Sequence, residues 1–216
     1  MTPADHRSND VPFNALFAGE SKNHPSLKGI PGTALYDYFT EDEAYGLWRI
    51  KNTEWYIGYA AGTAPFTQRN LLENFLQTAD TIAVPTKVEK QDGSGYDTFF
   101  DTNDRHAASL RFGHEVCVMP MAALLELGNC YPKVPMSRID TLDNVWANFR
   151  IYPMASNIQL IFYRPKKGSG DILVKALLNE REVTMPGTPV SGPYYRWADL
   201  REYYLKKIAD YDAAAK

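Results

Sequence analysis

The spacing of apolar positions changes several times along the chain, and each change marks an element. Up to about Gly32 the sequence is polar and carries Pro12, Pro25 and Pro31. With only Phe13 to Phe17 as an apolar cluster, it reads as loop with one helical turn. A helix start then stands out at Phe39-Thr40-Glu41-Asp42-Glu43. Thr40 is placed to cap, Glu43 to complete a capping box, and Phe39 to pack back on the first turn. Three acidic residues there suit the helix dipole. Ala44, Leu47, Trp48 and Trp55 recur at helical spacing and carry this helix to about Tyr59. A second helix is expected from about Pro65 to Ala83, with Leu71, Leu72, Phe75, Leu76 and Ala79 as one buried stripe. Lys87 to Asp104 is polar, contains Asp92-Gly93-Ser94-Gly95, and reads as a surface insertion.

The pattern then switches to alternation. Leu110 and Phe112 predict a short buried strand, and Gly113 a tight exit from it. Pro120 suits the first turn of a helix running over 117–127, with Met121, Leu124 and Leu125 on one face. Gly128-Asn129-Cys130-Tyr131-Pro132 supplies a stop. Asn157 to Arg164 and Ile172 to Leu178 read as strands joined by a hairpin loop, Pro165 to Gly170. Residues 179–183 return as a third short strand, and Trp197, Leu200, Tyr204 and Ile208 mark a last amphipathic helix.

Composition narrows the class. At 216 residues, 44% apolar and 13% aromatic, the chain is long and rich enough in core formers to fold. A net charge of −3 gives no concentrated basic face, so nucleic acid is not an expected partner. No apolar run approaches the ~18 residues a membrane-spanning helix needs. Two cysteines, Cys117 and Cys130, are too few for a disulfide scaffold or a metal site; a bond between them is the minority expectation. The first ten residues have no apolar signal core, which says nothing about destination if the chain is a fragment.

Candidate chemistry gathers where strand meets helix. His114 and Glu115 fall between the alternating segment and the apolar helix, the kind of crevice where open α/β sheets hold ligands and a helix start favours anions. The plain alternative is a histidine satisfied inside the sheet and a glutamate that favours a helix start. Arg111 is a third candidate for substrate contact, but alternation turns it away from His114 and favours a structural ion pair. His6, His24 and His106 read as solvated, and Cys117 as inert. No zinc spacing, nucleotide-binding glycine loop or nucleophile elbow stands out, which leaves an unrelated α/β hydrolase a distant third reading.

The run Leu110-Arg111-Phe112-Gly113-His114-Glu115, followed by Met119-Pro120 and a leucine-rich helix, resembles the second active-site motif of the histidine acid phosphatases. Its nearest look is to the multiple inositol polyphosphate phosphatase, or phytase-like, branch. Asp37-Tyr38-Phe39-Thr40, Leu47-Trp48, Asn52 and Trp55-Tyr56 are similar to that family's helical cap. The resemblance runs from about Leu35 to the C-terminus. It implies an α/β, phosphoglycerate-mutase-like core, partial here, with residues 1–100 as helical cap and surface insertion and 101–216 as the C-terminal part of the core. By position it makes His114 a phosphate contact and Glu115 the proton donor. It also implies hydrolysis of phosphate monoesters such as inositol polyphosphates, no cofactor or metal, and a periplasmic or secreted home. Two departures stand. Glu115 follows the histidine directly, as the acid does in His-Asp members, and no Arg-His-Gly-x-Arg-x-Pro occurs. The expected nucleophile is therefore missing, and the chain looks like a C-terminal half that needs an N-terminal half in cis or in trans. The alternative is a non-catalytic module that binds a polyanion or a protein.

Overall fold

The computed structural model describes residues 39–83, 86–89, 91, 96–99, 108–128, 130–165 and 170–215. The expectations for the stretch up to Gly32, for His6, His24 and His106, and for the tip of the 165–170 loop lie outside them.

The capping box forms as expected. The Thr40 N–H donates to Glu43 Oε2 at 2.8 Å, and the Glu43 N–H returns to Thr40 Oγ1 at 3.3 Å. The bonds that the Glu43 carboxylate accepts, from the Thr40 N–H first and from the Thr40 hydroxyl at 2.9 Å second, favour its charged form and hold its pKa below the usual value; with the returning N–H bond they close the cap. They start helix α1 (Glu41–Trp55), which widens into a π turn over Tyr56–Ala60. A 3-10 turn over Ala64–Gln68 leads into α2 (Arg69–Ala83). The polar stretch read as an insertion holds an antiparallel hairpin, β1 (Thr86–Glu89) with β2 (Tyr96–Phe99).

Helix α3 (Glu115–Leu124) is the centre of the main core. Every residue from Met119 to Leu125 is buried, so the helix is enclosed on all sides rather than along one stripe. It starts earlier than Pro120 predicted, because His114 already has extended N-cap geometry and its carbonyl accepts from the Cys117 N–H at 2.9 Å. Pro120 therefore sits inside the helix, where it cannot donate to the Val116 carbonyl. The end also comes before the expected stop at Gly128. Glu126 adopts φ 56°, its N–H bonds the Ala123 carbonyl at 3.1 Å, and the Leu127 N–H bonds that of Ala122 at 3.0 Å. This is a Schellman closure with a glutamate where glycine is usual.

Beyond α3, a 3-10 stretch (Met136–Asn144) and a short helix α4 (Asn148–Ile151) lead into the second sheet. Its central strand, β4 (Leu173–Leu178), pairs antiparallel with β3 (Ile158–Tyr163), β5 (Arg181–Val183) and β6 (Tyr195–Arg196). Val174, Ala176 and Leu178 point into the core, while Lys175 on the other face reaches Glu182 at 2.8 Å. The closing helix α5 (Trp197–Ala214) buries Trp197, Leu200, Tyr204 and Ile208 against the same core. The expected α/β class is met by mixed helices and antiparallel sheet. A smaller cluster of Ala44, Trp48 and Ala147 fixes α1 to the chain before α4. Two buried asparagines tie it down: the Asn148 N–H donates to Asn52 Oδ1 at 2.8 Å, and Trp48 Nε1 to Asn148 Oδ1 at 3.1 Å. Cys117 and Cys130 are both free thiols, so the bond considered between them is not formed.

Candidate functional site

The segment before α3 departs from its expected form. Residues 108–114 are not a strand, and the two residues whose alternation predicted burial are open to solvent, Leu110 at 75% and Phe112 at 93%. A strand needs a neighbour to share its hydrogen bonds, and among the described residues none pairs with this segment. What holds it is Arg111. One guanidinium nitrogen donates to Asn74 Oδ1 at 2.7 Å and to Thr78 Oγ1 at 2.8 Å, both on α2. Another reaches Ser109 Oγ at 3.2 Å, and the group lies 4.4 Å above the Phe75 ring. These partners are an amide, two hydroxyls and a ring face; the expected ion pair is replaced by neutral contacts.

Fixing Arg111 on α2 delivers the next residues to the head of α3. His114 is its N-cap residue (φ −98°, ψ 170°) and is exposed; Glu115 is the first helical residue and half-buried. The His114 side chain makes no cap bond. Among the described residues, neither side chain forms a hydrogen bond or ion pair. The N–H groups of Glu115 and Val116 have no backbone acceptor there either. A helix start with open N–H groups and the positive dipole end is a place for an anion. An imidazole and a carboxyl flank it and remain free to bond a ligand.

The structure places His114, exposed, and Glu115, half-buried, in succession at the head of α3 and turns Arg111 away into a contact with α2. Asn74, Phe75 and Thr78 were missed as contributors to this region. Phe75 reads from its spacing as plain core, while Asn74 and Thr78 stand four apart on the polar edge of that stripe, the one sign that something seats there. Two surface depressions elsewhere, of about 580 and 490 Å³, are lined from α5 and from Asp80, Asp171 and Arg196, and include neither His114 nor Glu115. Among the described residues no group of three or more His, Cys, Asp or Glu could hold a metal ion. No helix there is long and apolar enough to cross a membrane.

The opposite end of α3 is closed. Tyr204 Oη donates to the Leu125 carbonyl and Lys207 Nζ to that of Leu124, each at 2.8 Å. Lys207 also pairs with Glu126 at 2.6 Å, and Tyr203 Oη donates to the same carboxylate at 2.8 Å. Burial, with the Glu126 bond second, pushes the Tyr203 hydroxyl up to about 12.

No family model matches the chain, and no curated protein matches it either. Solved structures do. The multiple inositol polyphosphate phosphatase of Bifidobacterium longum, in complex with inositol hexasulfate, matches with 25% identity and a TM-score of 0.58, over 80% of this chain and 34% of that one. Its apo form matches with 23% identity and a TM-score of 0.59, over 84% and 36%. Its complex with phosphate gives 21% and 0.59, over 85% and 37%. The chain shares the fold of that phosphatase and spans about a third of its length.

Proposed function

We propose that this chain carries the phosphate-contact and proton-donor side of a phosphomonoester hydrolase acting on inositol polyphosphates. The observation that carries the reading is the placement of His114 and Glu115, without a side-chain partner among the described residues, at the open amino end of a buried helix. A phosphoryl group set there accepts from the Glu115 and Val116 N–H groups and from the His114 imidazole, which together offset its negative charge. The Glu115 carboxyl, protonated beside phosphate, gives its proton to the ester oxygen as the P–O bond breaks. The attacking nucleophile comes from another part of the enzyme, the N-terminal half supplied in cis or in trans, since neither His114 nor Glu115 does both tasks. In this reading residues 1–100 supply a cap over the site and 101–216 the core beneath it. Arg111 acts on the site by holding its approach segment rather than by touching phosphate.

The absence of an Arg-His-Gly-x-Arg run from the sequence favours a second reading, a module that binds polyanions without turning them over. Phosphate release from phytate and p-nitrophenyl phosphate separates the two, measured from pH 4 to 8 with the 216-residue chain alone and with the complementary phosphatase part present. The hydrolase reading expects release only in the second case, abolished by Glu115→Gln. Tight binding of inositol hexasulfate with no release in either case supports the binding module. Release from the chain alone means the nucleophile lies within it.

A further inference from the structure

We propose that Arg111 serves the head of α3 as an unneutralised positive charge that favours multiply charged esters over singly charged ones without touching them, an inference that rests on the reading above. Its seat holds a cation while adding no negative charge. One guanidinium nitrogen donates to Asn74 Oδ1 at 2.7 Å and to Thr78 Oγ1 at 2.8 Å, another to Ser109 Oγ at 3.2 Å. The fourth partner is the Phe75 ring face, 4.4 Å away. Among the described residues, no carboxylate reaches the group. Arg49, Arg69, Arg196 and Arg201 are held differently, each meeting an aspartate at 2.6–3.1 Å. A guanidinium paired with a carboxylate presents little net charge to a third group. One held by dipoles and a ring face presents all of it.

Position and chain charge give that neutral seat a use. Arg111 and His114 are three residues apart, so their Cα atoms lie within about 11 Å even at full extension. The guanidinium is turned onto α2 and acts on the head of α3 through its field. At such a distance one charge does little for a singly charged ligand, but the gain multiplies with the ligand's own charge. An inositol polyphosphate collects it several times over. The chain as a whole carries a net charge of −3, so a polyanion meets repulsion unless a local positive charge offsets it. Clamping the segment does not account for the amide at position 74, since an aspartate there would hold Arg111 at least as firmly.

The test is calorimetric titration of the 216-residue chain with inositol hexasulfate, and with inorganic phosphate, at 0.01 M and 1 M salt. The screening length falls between those conditions from about 30 Å to about 3 Å. Asn74→Asp keeps the seat and cancels the charge. It should bind inositol hexasulfate about fivefold more weakly at 0.01 M salt and within about 1.5-fold of wild type at 1 M. For inorganic phosphate at 0.01 M the loss should stay under about twofold. Arg111→Gln removes the charge outright, should show the same salt-dependent loss, and carries the test if Asn74→Asp does not fold. Two controls leave the charge at the seat. Thr78→Val removes one neutral partner. Lys206→Gln makes the same change of net charge beside Lys207, at the closed end of α3. Each should stay within about 1.5-fold of wild type. Asn74→Asp binding like wild type at low salt overturns the proposal. An equal loss in either control overturns it, as does an equal loss for phosphate or a loss that persists at 1 M, which means direct contact. Site and field fail separately. Binding that His114→Ala weakens and Asn74→Asp leaves alone removes the field only; the converse removes the site reading. A wild-type chain that binds no inositol hexasulfate removes both.

Discussion

At its carboxyl end α3 runs into a Schellman turn whose carbonyls and carboxylate are taken up by Tyr203, Tyr204 and Lys207 from α5. At its amino end the same helix presents His114, Glu115 and open N–H groups to solvent, behind a segment held by one arginine. Both ends have the same need, since a helix leaves its terminal backbone groups unsatisfied at each. The protein meets that need with its own side chains at one end only. The closed end serves stability; the open end is where the proposed ligand would be held. Side chains spent on self-capping cannot also bind a ligand, and the proposed site falls at the end that leaves its groups unspent.

The largest effect expected from breaking the comparison is in the body of the helix. Leu124 is fully buried, and Leu124→Ala should lose about 2–5 kcal/mol in urea unfolding through lost burial and the cavity left behind. Next comes the closed end. Lys207→Met removes the partner of Glu126 and a donor to the Leu124 carbonyl while keeping most of the packed stem. Leaving a carbonyl unmatched and the half-buried Glu126 carboxylate with the Tyr203 hydroxyl but no cation should cost about 1–3 kcal/mol, read by the same unfolding curve. A loss under ~0.3 kcal/mol would mean the closure is cosmetic and the two ends differ less than they look.

A pH experiment sharpens the contrast further. Burial raises the Cys130 thiol from 9.0 to about 12. The folded chain therefore keeps a proton that the unfolded chain releases. Stability from this group is whole below pH 9 and falls as pH rises from 9 toward 12, by about 1 kcal/mol at pH 10. Cys130→Ala should show a shallower decline than wild type between pH 9 and 10. Parallel curves would mean the thiol titrates normally and that this edge of the core is open to water.

Much of the fold could be read from local chemistry. The Thr40–Glu43 box, the apolar stripe of α2 and the β3–β4 hairpin are each set by residues within one or two turns of each other, and they form where expected. Pro120 misled because the helix starts at Glu115, five residues before it, so the proline marks the helix interior rather than its first turn. Glu126 could not be foreseen as a left-handed cap, since only its ties to Lys207 and Tyr203, some eighty residues away, make that conformation worthwhile. The strand at 109–112 failed for a different reason. Alternation states which side chains seek cover, not that the cover lies in the described residues. His114 and Glu115 were singled out by the family resemblance, because their own chemistry suits a satisfied histidine and a helix-favouring glutamate equally well; the structure places them in succession at the head of α3. The seat for Arg111 was not legible, because a cation held by an amide, hydroxyls and a ring leaves no charge pattern.

The smallest expected effect is the most decisive for the comparison. His114 is exposed and has no bond among the described residues, so His114→Ala should change stability by no more than about 0.5 kcal/mol. Glu115 does no more than place a negative charge in the first turn, and Glu115→Gln should cost a few tenths to about 1 kcal/mol, less at high salt. A real ligand site adds a condition that a mere helix end does not. Saturating inositol hexasulfate should raise the wild-type unfolding midpoint, by about 2.7 kcal/mol in stability at one hundred times the dissociation constant. The same ligand should do far less for His114→Ala, whose unliganded stability is unchanged. If His114→Ala instead lost 2 kcal/mol without ligand, the amino end would be a structural cap like the carboxyl end. The asymmetry that points to function would then disappear.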